Sequence, residues 1–108
     1  MNSRFTAERF EALDSQLRIE KIHEEAMGEF LSFRSMRNEL EDGLDWIPQS
    51  EWDKRHAHAK KHEYLTGELA AWLSQLDQNS ISSNKVADKL TELENEGRRT
   101  NWNPWAEA

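Results

Sequence analysis

Six residues between positions 58 and 76 constrain this chain more than anything else in it. His58, His62, Leu65, Leu69, Trp72 and Leu76 step by four, three, four, three and four, the interval at which an α-helix returns to the same side. A stripe of that spacing packs at a shallow angle on a second helix. It does not fit a strand, whose faces alternate every two residues. The chain also has a single valine, four scattered isoleucines and no alternating apolar run bounded by turn residues, so strand signals are nearly absent. The expected fold class is all-α.

The partner of the stripe is legible upstream. Phe10, Leu13 and Leu17, then Ile19, Ile22, Ala26, Phe30, Phe33, Leu40 and Leu44, recur mostly at helical spacing. They read as one long helix, about 55 Å if unbroken, starting after an N-cap at Thr6, ending near Gly43, and open to a break at Asp14 and Ser15. A second helix is expected to begin at Ser50 with a capping-box-like Asp53. Trp46, Ile47 and Pro48 make the short connection between them, which implies a long antiparallel helical hairpin. Folding about residue 47 or 48 sets residue i beside residue 95 − i, which brings Leu65 to Phe30 and Leu69 to Ala26. Ser82 or Ser83 can cap a shorter third helix carrying Val86, Leu90 and Leu93, with Gly97 as its stop. The expected organisation is a single helical domain over 1–97 and an irregular aromatic C-terminal tail over 98–108.

Composition bounds what such a fold can do. The chain has 108 residues, a net charge of −7 and 32% charged residues. A chain of this size hides only about 65% of its unfolded surface, so the core is thin and an elongated or partner-completed fold is favoured. Without cysteine there is no disulfide framework, thiolate metal site or thiol nucleophile. No apolar run approaches a membrane span, and the first residues lack a secretion signal's apolar stretch, so a cytoplasmic protein is expected. The acidic balance disfavours a dedicated nucleic-acid binder, which needs clustered positive surface.

Three constellations carry chemistry. Lys54, Arg55, Lys60 and Lys61, with His56, His58 and His62, form a candidate basic patch. His58 and His62 stand at the i, i+4 spacing by which two imidazoles share a metal, and Glu20 with His23 adds a Glu-x-x-His pair. His58 and His62 lack a glutamate three residues before them, and the hairpin register sets His23 near Trp72, so no metal and no cofactor is expected. Glu39 and Asp42 supply only one of the two acidic pairs that all-helical nucleotide pyrophosphohydrolases use to hold magnesium. There is no glycine-rich phosphate loop and no serine elbow. Residues 86–97 resemble the recognition helix of a winged helix-turn-helix domain, yet they carry four acids and no wing-like hairpin follows.

Trp102 and Trp105, on either side of Asn103 and Pro104, are the least explained feature. Tryptophan is over-represented among interface anchors, so Trp102, Pro104 and Trp105, together with Trp52, are the candidate partner-binding residues. The expectation is a small acidic, non-enzymatic protein-binding module. By type it would be a phage or mobile-element accessory protein that modulates or inhibits a host enzyme or a nucleic-acid-processing complex. A helix-turn-helix-like nucleic-acid binder is the alternative, and a metal-dependent helical hydrolase the third reading. Phe5, Phe10, Met27, Leu31 and Trp52 fall outside the hairpin stripe, and these leftover apolar residues suggest a homodimer or an obligate partner.

Overall fold

The computed structural model describes residues 2–43 and 46–100. Four helices and two short strands follow in the order α1 (Ala7–Leu13), β1 (Gln16–Arg18), α2 (Ile19–Asp42), α3 (Gln49–Ser74), β2 (Ser80–Ser82) and α4 (Ser83–Arg99). The long upstream pattern is thus two helices rather than one. Thr6 caps α1, its hydroxyl accepting from Arg9 N–H at 3.3 Å, and Asp14 ends it in the left-handed region at φ 41°. Aspartate tolerates that conformation better than most residues, which lets the chain turn into β1.

The strands correct the expectation that strand structure is missing. Gln16, Leu17 and Arg18 pair antiparallel with Ser82, Ile81 and Ser80. Ile19 N–H donates to the Asn79 carbonyl at 3.0 Å, and Ser83 N–H to the Ser15 carbonyl at 2.8 Å. Three-residue strands are shorter than any window in which alternation is detectable, and their partners lie more than sixty positions away. Ser82 is the α4 cap, accepting from Lys85 N–H at 3.2 Å.

The two long helices pack on each other. Ladder contacts between them run from Trp52 with Leu40, through His56 with Glu41, to Phe33 with His62 and Phe30 with Gly67. Two local expectations change. α3 begins at Gln49 on a Pro48 cap with no side-chain bond, so Ser50 is not the cap. α4 runs through Gly97 to Arg99, so Gly97 is a buried helical position and not a stop. Leu76 lies beyond the end of α3 and only flanks the core, while Leu73 takes a fully buried place.

The main core gathers Ile22 and Ala26 of α2, Leu65, Leu69 and Leu73 of α3, Ile81, and Val86, Leu90 and Leu93 of α4. Phe5 and Phe10, expected to be left over, are 1% and 4% exposed and belong to it, and Met27 packs against it. The segment before α1 is pinned by Glu29, a buried carboxylate that accepts from Ser3 Oγ–H at 2.8 Å and Arg4 N–H at 3.1 Å. Toward the far ends of α2 and α3, Phe33, Leu40 and Ala59 are buried outside that cluster. The molecule measures 44 × 25 × 23 Å.

Candidate protein-binding surface

The connection between α2 and α3 is held from both sides. Gly43 closes α2 at φ 70°, its N–H donating to the carbonyls of Glu39 and Leu40. Glycine meets no penalty there, whereas a Cβ would be strained. On the α3 side, Trp52 Nε1–H donates to the same Leu40 carbonyl at 3.0 Å, so a side chain of α3 shares an acceptor of the α2 terminus with the Gly43 N–H. The Trp52 ring stacks on His56 with centroids 4.5 Å apart and planes 10° from parallel.

From His56 a chain of polar contacts runs down between the helices. His56 Nε2 lies 2.8 Å from Glu41 Oε1, and Arg37 Nη1 donates to Glu41 Oε2 at 3.0 Å. Arg37 then forms a two-pronged pair with Glu63, at 2.8 Å through Nε and 3.1 Å through Nη2. Arg34 Nε joins the same carboxylate at 3.3 Å. Hydrogen bonds from His56, then from Arg37, hold the Glu41 carboxyl below its ordinary range. The planar guanidinium fork suits this bidentate role better than a lysine would.

Against this braced end, Trp46 is 90% exposed. Ile47 beside it is half-buried, and Pro48 fixes the backbone at φ −58°. Glu39 and Asp42 are exposed at the same end. An indole left in water on a rigid support is what a protein interface uses as an anchor. Trp46 reads from sequence as part of a connector only. The available signal was its place two residues before Pro48, off the helical stripes that pair the two long helices.

The expected site residues divide. Trp52 serves the internal brace described above. Trp102, Pro104 and Trp105 lie outside the described residues. The basic patch does not form one free stripe: Arg55 pairs with Glu51 at 3.1 Å and Lys61 with Glu94 at 3.6 Å, Lys60 is half-buried, and Lys54 is exposed. Lys54 and Arg55 border a shallow groove of about 680 Å³ with Asn2, Met36, Leu40 and His58.

His58 and His62 are packing groups. Their rings sit 4.5 Å apart and both meet Phe33, at 5.5 and 5.3 Å. Burial, then the charges of His58 and Lys61, pushes the His62 imidazole down to about 4. Among the described residues no group of three or more His, Asp or Glu side chains could hold a metal ion. His23 and Glu20 border a separate cleft of about 660 Å³ near the strand ribbon, with Arg18, Leu73 and Ser74. On α4, Lys89 pairs with Glu92 and Arg99 with Glu96, and Asp88, just before them, is exposed.

No family model, curated protein or solved structure matches this chain. Among the described residues no helix is long and apolar enough to cross a membrane.

Proposed function

We propose that this chain is a non-enzymatic protein-binding module in which α2 and α3 form an antiparallel hairpin and present Trp46 at its tip to another protein. The observation that carries this reading is the 90% exposure of Trp46 on an end braced by Trp52, His56, Glu41 and Arg37. Rigid support matters because an anchor already in its bound geometry loses little conformational freedom on association. The exposed acids Glu39 and Asp42 beside it favour a partner whose pocket is rimmed by basic groups.

Within this reading the protein acts in the cytoplasm as an accessory factor that modulates a larger enzyme, and phage or mobile-element origin is the setting in which such short acidic chains work. The nucleic-acid alternative draws little support from α4, whose exposed positions mix Lys85, Arg98 and Arg99 with Asp88, Glu92 and Glu96, Arg99 being paired with Glu96. The test is quantitative capture from an extract of the native host by the wild-type chain and by Trp46→Ala, with heparin retention in parallel. Loss of one specific captured protein with Trp46→Ala supports the module. Unchanged capture, or strong salt-sensitive heparin retention, overturns it.

A further inference from the structure

Ala57, Lys60, Lys61 and Tyr64 share one face of α3, at the three- and four-residue spacings that align helical neighbours, and all four are half-buried. One turn toward the tip, Asp53 and Lys54 are exposed; one turn the other way, Glu68 and Ala71 are exposed. Along this face the partial burial is confined to the two turns from Ala57 to Tyr64. α4 leads to it. Lys89 Nζ sits 5.6 Å from the Trp72 ring centroid, and Glu94 Oε1 lies 3.6 Å from Lys61 Nζ. The second half of α4 therefore approaches this face: burial, then the nearby charges of Glu68 and Glu96, pushes the Tyr64 hydroxyl up, and Thr100 N–H, where α4 ends, donates to the Glu96 carbonyl.

Beyond Thr100 the sequence continues with Asn101, Trp102, Asn103, Pro104, Trp105, Ala106, Glu107 and Ala108. Eight extended residues reach about 28 Å, and the helical rise from Ala57 to Tyr64 is about 11 Å. The length suffices to lie along the whole face. The chemistry is complementary as well: two indoles and a carboxylate meet two ammonium groups on long apolar stems, beside the small Ala57 and the Tyr64 ring. The same pairing already joins α3 to α4, where Lys89 lies over Trp72.

We propose that residues 101–108 dock within their own chain on this face of α3, with Trp102 and Trp105 against Ala57 and Tyr64 under the ammonium groups of Lys60 and Lys61, and Glu107 beside one of those ammoniums. The lysines then serve as the receptor for the aromatic tail and not as a phosphate-binding stripe. This inference does not rest on the Trp46 reading, whose anchor is on the connection between α2 and α3.

The experiment uses the full-length chain as an equal mixture of ¹⁵N-labelled and unlabelled protein, condensed with a zero-length carbodiimide and mapped by mass spectrometry. The Lys61–Glu94 pair is the internal control for folding and reactivity. The expected result is an amide between Glu107 and Lys60 or Lys61 within a single chain. That amide is absent from Glu107→Gln and largely lost from the Trp102→Ala, Trp105→Ala double variant, while the control persists. Three outcomes would overturn the proposal: no Glu107 linkage while the control forms, linkage indifferent to the two tryptophans, or linkage that joins labelled to unlabelled chains and so assigns the tail to a second copy.

Discussion

Ser83 and Ser15 hold each other across 68 residues of sequence: Ser83 N–H donates to the Ser15 carbonyl at 2.8 Å, and Ser15 N–H donates back to Ser83 Oγ at 3.0 Å. Leu17 faces Ile81 beside this exchange, so α1–β1–α2 and α3–β2–α4 are two similarly built halves buttoned together at one end. α2 runs about 36 Å from that ribbon to Gly43. The exposed Trp46 thus stands far from the main core, on helices whose bases are fixed.

Ser83→Ala removes one of the two bonds and leaves Ser15 N–H without its partner at a side chain that is fully buried. A loss of about 1 kcal/mol is expected, seen as a fall of roughly 4 °C in the melting temperature. Ser82→Ala, which removes the α4 cap, should cost about the same. Calorimetry showing no change in the Ser83 variant would mean that water replaces the bond and that the ribbon is held by its backbone pairing and by Leu17 and Ile81 without the hydroxyl.

The two mid-helix glycines should respond in opposite directions to alanine. At Gly28 an added Cβ meets nothing within 4 Å, so Gly28→Ala gains helix propensity and stabilises by about 1 kcal/mol. At Gly67 the Cβ would come within 2.9 Å of the Phe30 ring, which is itself held under Arg34 at 4.9 Å. Overpacking of about 1–3 kcal/mol outweighs the propensity gain, and Gly67→Ala is expected to destabilise. Denaturant midpoints of the two variants on opposite sides of wild type are the expected result; a stabilised Gly67→Ala would show that Phe30 rotates away freely.

Acid should weaken the fold through His62. Its folded value of about 4, against an ordinary 6.5, means that the unfolded chain binds more protons between those limits. Stability is therefore full above pH 6.5 and declines as pH falls toward 4. Glu41, held below its ordinary range, adds loss of the same sign at lower pH. The decline between pH 6.5 and 4 should flatten in His62→Leu, measured as denaturant midpoints across that range. An unchanged slope in that variant would place the proton uptake elsewhere.

The fold was largely legible because its strongest determinants are local. The stripe through Leu65 and Leu69, the Thr6 cap and the connection at Ile47 and Pro48 all express themselves within a few residues. What escaped depends on distant partners. Leu17 reads as a helical position until Ile81 pairs with it, and Phe5 reads as a leftover until the α2–α3 base and α4 enclose it. The candidate site was less legible. Trp102, Trp105 and Trp52 were the expected anchors, but which tryptophan stands in water depends on whether its ring meets a neighbour, and only the packed helices decide that for Trp46 and Trp52.

Ion pairs of similar appearance should differ in worth. Glu63 is 15% exposed and joins Arg37 and Arg34, whereas the Glu51–Arg55 pair is roughly half exposed on both sides. Glu63→Gln takes the bidentate partner from the sheltered Arg37, which keeps only Glu41, and removes the pair of the half-exposed Arg34, and should destabilise by about 1–2 kcal/mol. Glu51→Gln should change stability by no more than about 0.5 kcal/mol. Equal effects in thermal melts would remove the Arg37–Glu63 contact from the list of what holds the long helices together.

Trp46 and Trp52 lie six positions apart, and their alanine variants should separate binding from folding. Trp52→Ala removes a half-buried ring, its stack on His56 and the donor to the Leu40 carbonyl. About 2–3 kcal/mol of stability should go with them. Trp46→Ala removes a ring that touches mostly water and should leave stability within about 0.5 kcal/mol. In partner binding the order reverses: truncating an exposed aromatic anchor typically forfeits about 2 kcal/mol or more, so affinity per folded molecule should fall at least thirtyfold for Trp46→Ala and little for Trp52→Ala. Lys60→Ala with Lys61→Ala, measured alongside, tests the electrostatic alternative. If affinity falls only in that lysine pair, and wild-type affinity drops toward the variant's as salt rises, the contact surface is the basic face of α3 and not the tip.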